Sequence, residues 1–391
     1  MSRPRYEVGQ IIRDWGDEFF ARCQVAEPVR KSYGRMRVCR TRHLGGHVEV
    51  CPECGEVHVS YNSCRDRHCP KCQNKERALW VEMRKDEVIP GVKYFHVVFT
   101  APHCLHPIAM THQAMFYDAM FRAAWGTLRT FYGNQGLQGG MTAILHTWGS
   151  NMYYHPHIHC IVTGGGVDKD GRWHHLKGCG GAARDFLFTV RGMMVMFRAK
   201  LMAMLTRRLK EQGEVIPPDV RRQCFDKKKP WSLYSRPPAK GVGQVLEYIG
   251  RYAYRVAISN ARILDYDAES GQVTYDYKDY RHGGVHKQMT MHAVDFLHLL
   301  SLHILPPAFV RIRHYGLLSP SCRDKLRSVQ QQLGGTPLPK VRKRKTYEEV
   351  CREQGWEIGI CPHCKCRMVI IETIAPARAP PRSITVRTAS V

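Results

Sequence analysis

"YYHPHIHCIVTGGG", Tyr153 to Gly166, places His155, His157 and His159 at alternate positions, ahead of an apolar run and three glycines. Side chains of an extended strand alternate between faces. The three imidazoles therefore share one face, and Ile158 and Cys160 the other. Pro156 has no N–H for a ladder, so His155 belongs at the strand's start or on an edge. Ile158, Ile161 and Val162 suit a core. His157 and His159 then stand about 6–7 Å apart along the strand, and their nitrogens can converge on one cation. Imidazole suits Mn2+, Zn2+ and similar ions.

The neighbouring segments read as a sheet with helices. "MTAILHTW" (141–148) is a second strand, joined to 155–163 by "GSNMYY" as an antiparallel pair. "VKYFHVVFTA" (92–101) is β-branched and aromatic and stops at Pro102. Apolar residues at helical spacing predict one or two helices in 1–35 and another over 74–89. One long helix is predicted over 107–132, starting at a proline, and a basic one from about Arg184 to Gln212. A hairpin is expected at Asp170-Gly171, and strands with a turn at Ser270-Gly271. Residues 227–243 read as a loop rich in charge and proline, followed by a helix from Gln244 to about Tyr254. The pattern over 289–305 is mixed and assigns no element.

Lys and Arg total 59 against 34 Asp and Glu, a net charge of +25 over 391 residues. That excess points to a polyanionic partner, nucleic acid first and an anionic membrane surface second. No run of about 18 apolar residues exists, which argues against a membrane helix. The N-terminal residues lack the apolar core of a signal peptide, and a cytoplasmic protein is expected.

In that compartment the 16 cysteines are reduced, and clustered ones point to metal. "CPEC" (Cys51, Cys54) and "CPKC" (Cys69, Cys72) are separated by 14 residues, a spacing that can close a tetrahedral thiolate cage around structural Zn2+. Cys39, Cys64, His68 and His43 are surplus ligands in the same stretch, and leave a second zinc open. Arg65, Arg67 and Lys71 beside the sulfurs favour phosphate, so this reads as a DNA-binding module. "CPHCKC" supplies one further knuckle, Cys361 and Cys364, with Cys366, Cys351 or Cys322 as candidate partners.

"EYIGRYAYR" sets Tyr248 and Tyr252 four residues apart, one helical turn. Two phenols so placed can attack phosphorus and form phosphotyrosine links. Arg251 and Arg255 can position phosphates. Lys228 and Trp231, in the loop before this helix, have the make-up of a single-strand track, where bases stack on rings and lysines meet phosphates.

"HPHIHCIV" resembles the His-hydrophobic-His motif of the HUH endonuclease superfamily, and "YIGRY" its two-tyrosine motif. Together with "NSCRDRHCPKCQ", "YFHVVFTAPH", "LHTWGSNMYYHPHIHCIVTGGG" and "FVRIRHYGLL", they resemble the rolling-circle transposases of the insertion-sequence ninety-one family, over about residues 15 to 333. The resemblance implies an α+β fold, an HUH-type central antiparallel sheet flanked by helices, preceded by a small cysteine-rich zinc-binding module. It implies His157 and His159 as ligands of Mg2+ or Mn2+, and Tyr248 and Tyr252 as nucleophiles. The substrate would be single-stranded DNA with hairpin-forming element ends, cut through 5′-phosphotyrosine intermediates. The family's third ligand falls on Gln244 first, then on His96 or His155. Three units follow: a helical and zinc-binding module over 1–90, a catalytic domain over 91–335, and a basic linker, small cysteine motif and disordered tail over 336–391. The competing readings are a plasmid replication initiator or relaxase of the same superfamily, a non-catalytic zinc-module DNA binder, and a histidine-triad nucleotide hydrolase with His157 as nucleophile.

Overall fold

Thirteen strands are described in chain order: β1 (Gly46–Val50), β2 (Val57–Tyr61), β3 (Tyr94–Thr100), β4 (Gly140–Trp148), β5 (Tyr154–Thr163), β6 (Gly165–Val167), β7 (Trp173–His175), β8 (Leu233–Arg236), β9 (Ile263–Tyr266), β10 (Gln272–Asp279), β11 (Val285–His292), β12 (Ile312–Gly316) and β13 (Val369–Ile374). The helices that matter most are α1 (Val8–Arg22), α2 (Glu27–Arg37), α3 (Gln73–Lys85), α4 (His106–Thr111), α5 (Gln113–Gly133) and α6 (Val190–Glu211). The structure is a computed structural model that describes residues 4–177, 187–228, 231–236, 247, 250, 252–341 and 343–377. Tyr248, Gln244, Arg251 and the expected disordered tail from residue 378 on lie outside the described residues.

The central sheet has the order β12-β4-β5-β3-β8, and every neighbouring pair is antiparallel. Strand alternation divides its side chains. Val97, Phe99, Met141, Ala143, Leu145, Ile158, Cys160 and Val162 form one core with α5 and α6. Along α5, Tyr117, Met120, Phe121, Ala124, Leu128 and Tyr132 recur at helical spacing and are all buried. Burying each large side chain contributes about 1.5–3 kcal/mol, so this layer anchors the sheet. The expected long helix breaks at His112, whose backbone leaves the helical region (φ −118°, ψ 48°), separating α4 from α5.

The glycines that follow β5 answer the question its sequence poses. A Cβ on Gly164 would meet the Lys93 carbonyl at 2.7 Å, and one on Gly166 the Gln138 backbone at 2.7 Å. The chain passes too close to its neighbours for any side chain.

A second core joins α1 and α2 to the helix Ala293–Ser301 and the sheet β11-β10-β9, through Ile11, Phe19, Tyr33, Val273, Tyr275 and Phe296. The Tyr33 hydroxyl donates to the Leu297 carbonyl at 2.5 Å. The N-terminal helices therefore share a core with a segment some 260 residues away. A third sheet, β13-β1-β2, joins the hairpin of the cysteine-rich region to the C-terminal strand.

The charged loop over 227–243 needs a correction. Leu233–Arg236 forms β8 and pairs antiparallel with β3 as an edge strand; the flanking prolines of the sequence disguise a four-residue strand. Residues 289–305 resolve into the end of β11 and the helix Ala293–Ser301. The fold is α+β, with antiparallel sheets flanked by helices and a cysteine cluster near the N-terminus consistent with a zinc module. Among the described residues no helix is long and apolar enough to cross a membrane.

Candidate active site and cysteine clusters

The face of the central sheet turned away from α5 and α6 carries the polar residues. His157 and His159 project from β5, and His146 on β4 is the register partner of His157. One nitrogen from each of His146, His157 and His159 lies within 4.8 Å of the others. Nε2 of His157 and Nε2 of His159 are 3.1 Å apart. Two nitrogens bound to one ion, with bonds of about 2.1 Å, stand about 3.0–3.4 Å apart, so the pair has the separation a shared cation needs.

The surroundings of His157 fix which of its nitrogens faces inward. Nδ1 of His157 donates to the His155 carbonyl at 2.7 Å, which leaves the lone pair on Nε2. Nδ1 of His159 meets Nε2 of His96 at 2.9 Å. With Nδ1 as the donor there, Nε2 of His159 also carries a lone pair. Two lone pairs facing each other repel unless a cation or a proton lies between them. Burial pushes His157 down to about 3 and His96 to about 4, and drives His146 and His159 well below the ordinary histidine value. At neutral pH the set is uncharged, the form in which imidazole binds metal.

Among the described residues, the third nitrogen grouped with those of His157 and His159 belongs to His146, which was absent from the sequence candidates. His96 lies behind His159, its Nε2 against Nδ1 of that ring, a contact that orients the ring. His155 contributes its carbonyl to His157. Gln244 lies outside the described residues. The "LHTW" strand was visible in the sequence, but which of its residues faces His157 depends on register.

The Tyr252 ring centroid is 4.2 Å from that of His159 and 5.6 Å from that of His96. Nε2 of His146 donates to the Tyr252 carbonyl at 2.9 Å. Arg311, 8% exposed, donates to the carbonyls of Ala253 (3.0 Å) and Arg255 (3.2 Å). Both bonds hold the segment after Tyr252 against the sheet, a positioning role the sequence did not disclose. Arg255 is exposed, and its charge acts on His146, His157 and His159.

The remaining DNA-contact candidates divide. Arg65 and Lys228 are exposed. Arg67 is turned inward, donating to the carbonyls of Leu305 (3.3 Å), Pro306 (2.8 Å) and Phe309 (2.6 Å). Lys71 is paired with Glu7 at 2.5 Å. Trp231 is 5% exposed, packs in the α5–α6 core and donates to the Cys224 carbonyl at 2.9 Å. Arg67 and Trp231 are thus structural braces, and Trp231 offers no ring to a base.

The cysteines form two tetrads, and not the expected Cys51/Cys54/Cys69/Cys72 cage. Cys39, Cys64, Cys69 and Cys72 converge, with sulfur separations of 3.4 Å (Cys39–Cys72), 3.6 Å (Cys64–Cys72) and 3.6 Å (Cys39–Cys69). Cys51 and Cys54 converge with Cys361 and Cys364. The β1–β2 hairpin separates the sets. Cys51 and Cys54 lie in its turn, whereas Cys39 and Cys64 flank its open end. Five residues of strand put those ends about 16 Å apart, beyond the reach of one ion. His68 is excluded from the first tetrad because it bonds Asp66 at 3.1 Å and accepts from the Leu305 N–H at 3.1 Å. His43 is half-buried and belongs to neither tetrad.

Comparison with known proteins places this cysteine-bearing, histidine-lined chain in a family. Residues 11–101 match the family described as "Transposase zinc-binding domain", and residues 140–325 the family described as "Putative transposase". The chain is 38% identical to "Putative transposase y4qJ" of Sinorhizobium fredii, over 98% of this chain and 99% of the relative. It is 29% identical to the "Transposase for insertion sequence element IS801" of Pseudomonas savastanoi pv. phaseolicola, over 78% of this chain and 74% of that one. The chain belongs to this family of insertion-sequence transposases with an N-terminal zinc-binding domain. No solved structure matches it.

Proposed function

We propose that the protein cleaves and rejoins single-stranded DNA at the ends of an insertion sequence through 5′-phosphotyrosine intermediates, in rolling-circle transposition. Tyr252 is one nucleophile and Tyr248, four residues before it in the sequence, the other. The phenol loses its proton and its oxygen attacks phosphorus. The bond from phosphorus to the 3′ oxygen breaks, and that oxygen takes up a proton to leave as a 3′-OH. The DNA 5′ end remains on the tyrosine. Attack by a 3′-OH on this link reverses the step and rejoins strands without an external energy source. His146, His157 and His159 would hold a divalent cation, which supplies Lewis-acid polarisation of a phosphate oxygen. Three imidazoles suit Mn2+ better than Mg2+, which prefers oxygen ligands. Arg311 holds the segment after Tyr252, and Arg255 offers positive charge to the phosphate. The Cys39/Cys64/Cys69/Cys72 tetrad would hold a structural Zn2+, fixing the loops at the open end of the hairpin.

The observation that carries this reading is the 3.1 Å approach of Nε2 of His157 to Nε2 of His159, with the Tyr252 ring packed on His159. The test is incubation with Mn2+ and labelled single-stranded DNA from the flanks of the protein's own gene, with adducts mapped by mass spectrometry. Adducts are expected on peptides containing Tyr248 or Tyr252, and none in the Tyr248→Phe/Tyr252→Phe protein. An adduct that survives in that double variant would defeat the proposal.

A further inference from the structure

We infer that Cys51, Cys54, Cys361 and Cys364 form a second tetrathiolate zinc site, one that fastens the C-terminal segment onto the N-terminal module. The matched families span 11–101 and 140–325, so neither reaches Cys361 or Cys364. The inference stands apart from the strand-transfer reading and does not depend on it.

The sulfurs are placed for an ion. Cys51–Cys364 is 3.3 Å, Cys54–Cys361 3.5 Å and Cys54–Cys364 3.5 Å. A tetrahedral ion with zinc–sulfur bonds of about 2.3 Å has edges of about 3.8 Å, whereas a disulfide needs about 2.05 Å. All four atoms lie within 4.8 Å of one another. Four thiolates in a tetrahedron select Zn2+ over harder cations.

The two knuckles are also copies of one fold. In "CPECG" the Gly55 N–H donates to the Cys51 carbonyl at 3.0 Å, and in "CPHCK" the Lys365 N–H donates to the Cys361 carbonyl at 3.1 Å. Gly55 (φ 73°) and Lys365 (φ 63°) are both left-handed. Lysine has no intrinsic preference for that region, so the knuckle imposes it. This turn aims both sulfurs of each pair to one side, and the pairs face each other.

The third sheet has little else to hold it. Its buried apolar cluster is Cys51, Cys361 and Met368, with Cys366 partly buried against them. Val57, Val59, Val369, Ile370 and Ile371 are exposed, Ile371 at 61%. A sheet without a core needs metal or another cross-link to persist. Elsewhere on the C-terminal segment, β13 pairs with β1 over five residue pairs, and Lys345 bridges Glu82 of α3 and Glu353 at 2.6 and 2.7 Å. These contacts guide the docking, and the ion locks it.

The experiment is elemental analysis and native mass spectrometry of the full chain purified under reducing conditions. Wild type should carry two zinc ions per chain. Cys361→Ser/Cys364→Ser should carry one, and trypsin should release its C-terminal segment at the Lys- and Arg-rich stretch at least tenfold faster. Cys366→Ser, outside the tetrad, should keep two. A count that does not fall in the double variant, or a Cys51–Cys364 disulfide in place of metal, would overturn the inference. Should the double variant fail to fold, stepwise chelation of wild type decides: two separable zinc losses, with release of the C-terminal segment on one of them, are expected, and a single loss overturns the site. Metal count does not depend on DNA cleavage, so it leaves the strand-transfer reading to its own test.

Discussion

Replacing His146 by alanine separates the geometry found in the fold from the third ligand expected from sequence. His146 is 2% exposed, sits opposite His157 in the sheet register, and bonds the Tyr252 carbonyl. Its loss removes one of three nitrogens within 4.8 Å of one another. Loss of a mere outer-shell partner lowers metal affinity about 10–100-fold. Loss of a direct ligand should therefore weaken Mn2+ binding by about 100-fold or more, equivalent to about 2.7 kcal/mol. Folding should suffer less, by about 1 kcal/mol for the hydrogen bond to Tyr252 plus a small cavity. The assay is titration calorimetry with Mn2+ at pH 7.5 on protein with its zinc sites filled, beside thermal melts. Gln244→Ala should bind Mn2+ as wild type does. If His146→Ala keeps its affinity within about twofold while Gln244→Ala loses it, the imidazole trio is not the ligand set, and the reasoning from register fails.

Three further outcomes are expected. His303, buried and bonded to Thr147 and the Met152 carbonyl, is pushed down by burial to about 4. Below its unfolded value of about 6.5 the unfolded chain takes up a proton that the folded chain refuses. Stability is thus full above pH 6.5 and declines as pH falls toward 4, by up to about 3 kcal/mol from this group. Urea midpoints at pH 7.5 and 5.0 should show the drop, with a shallower slope in His303→Gln. Arg311→Met should lower adduct formation tenfold or more while Mn2+ affinity stays unchanged, because the side chain holds the Tyr252 segment and not the histidines. Trp231→Ala should destabilise the fold by about 3–5 kcal/mol and leave the salt dependence of single-strand binding as in wild type; a reduced salt slope at unchanged stability would return Trp231 to the DNA track.

How much of this was legible depends on whether a feature is local. The alternation in 92–101, 141–148 and 155–163 was readable because each strand buries one face on α5 and α6. The facing of His146 and His157 was not, since it depends on a register with an irregularity between His146 and Trp148. Trp231 looked exposed because lysines and prolines surround it, yet its ring fills a core built by distant helices. Cysteine spacing suggested a cage from adjacent knuckles. The hairpin between them sends the pairs to opposite ends, and one pair finds its partners 307 and 313 residues further along the chain. Tertiary distance of that kind leaves no trace in spacing.

That separation has a consequence during synthesis. At about 5–20 residues per second, some 307 residues take the ribosome about 15–60 s. Throughout that interval the turn of the hairpin presents two thiols with no second pair, and β1 has one border without a neighbouring strand. An open strand border invites pairing with other chains. The nascent protein therefore passes through a period of exposure that ends only when β13 arrives.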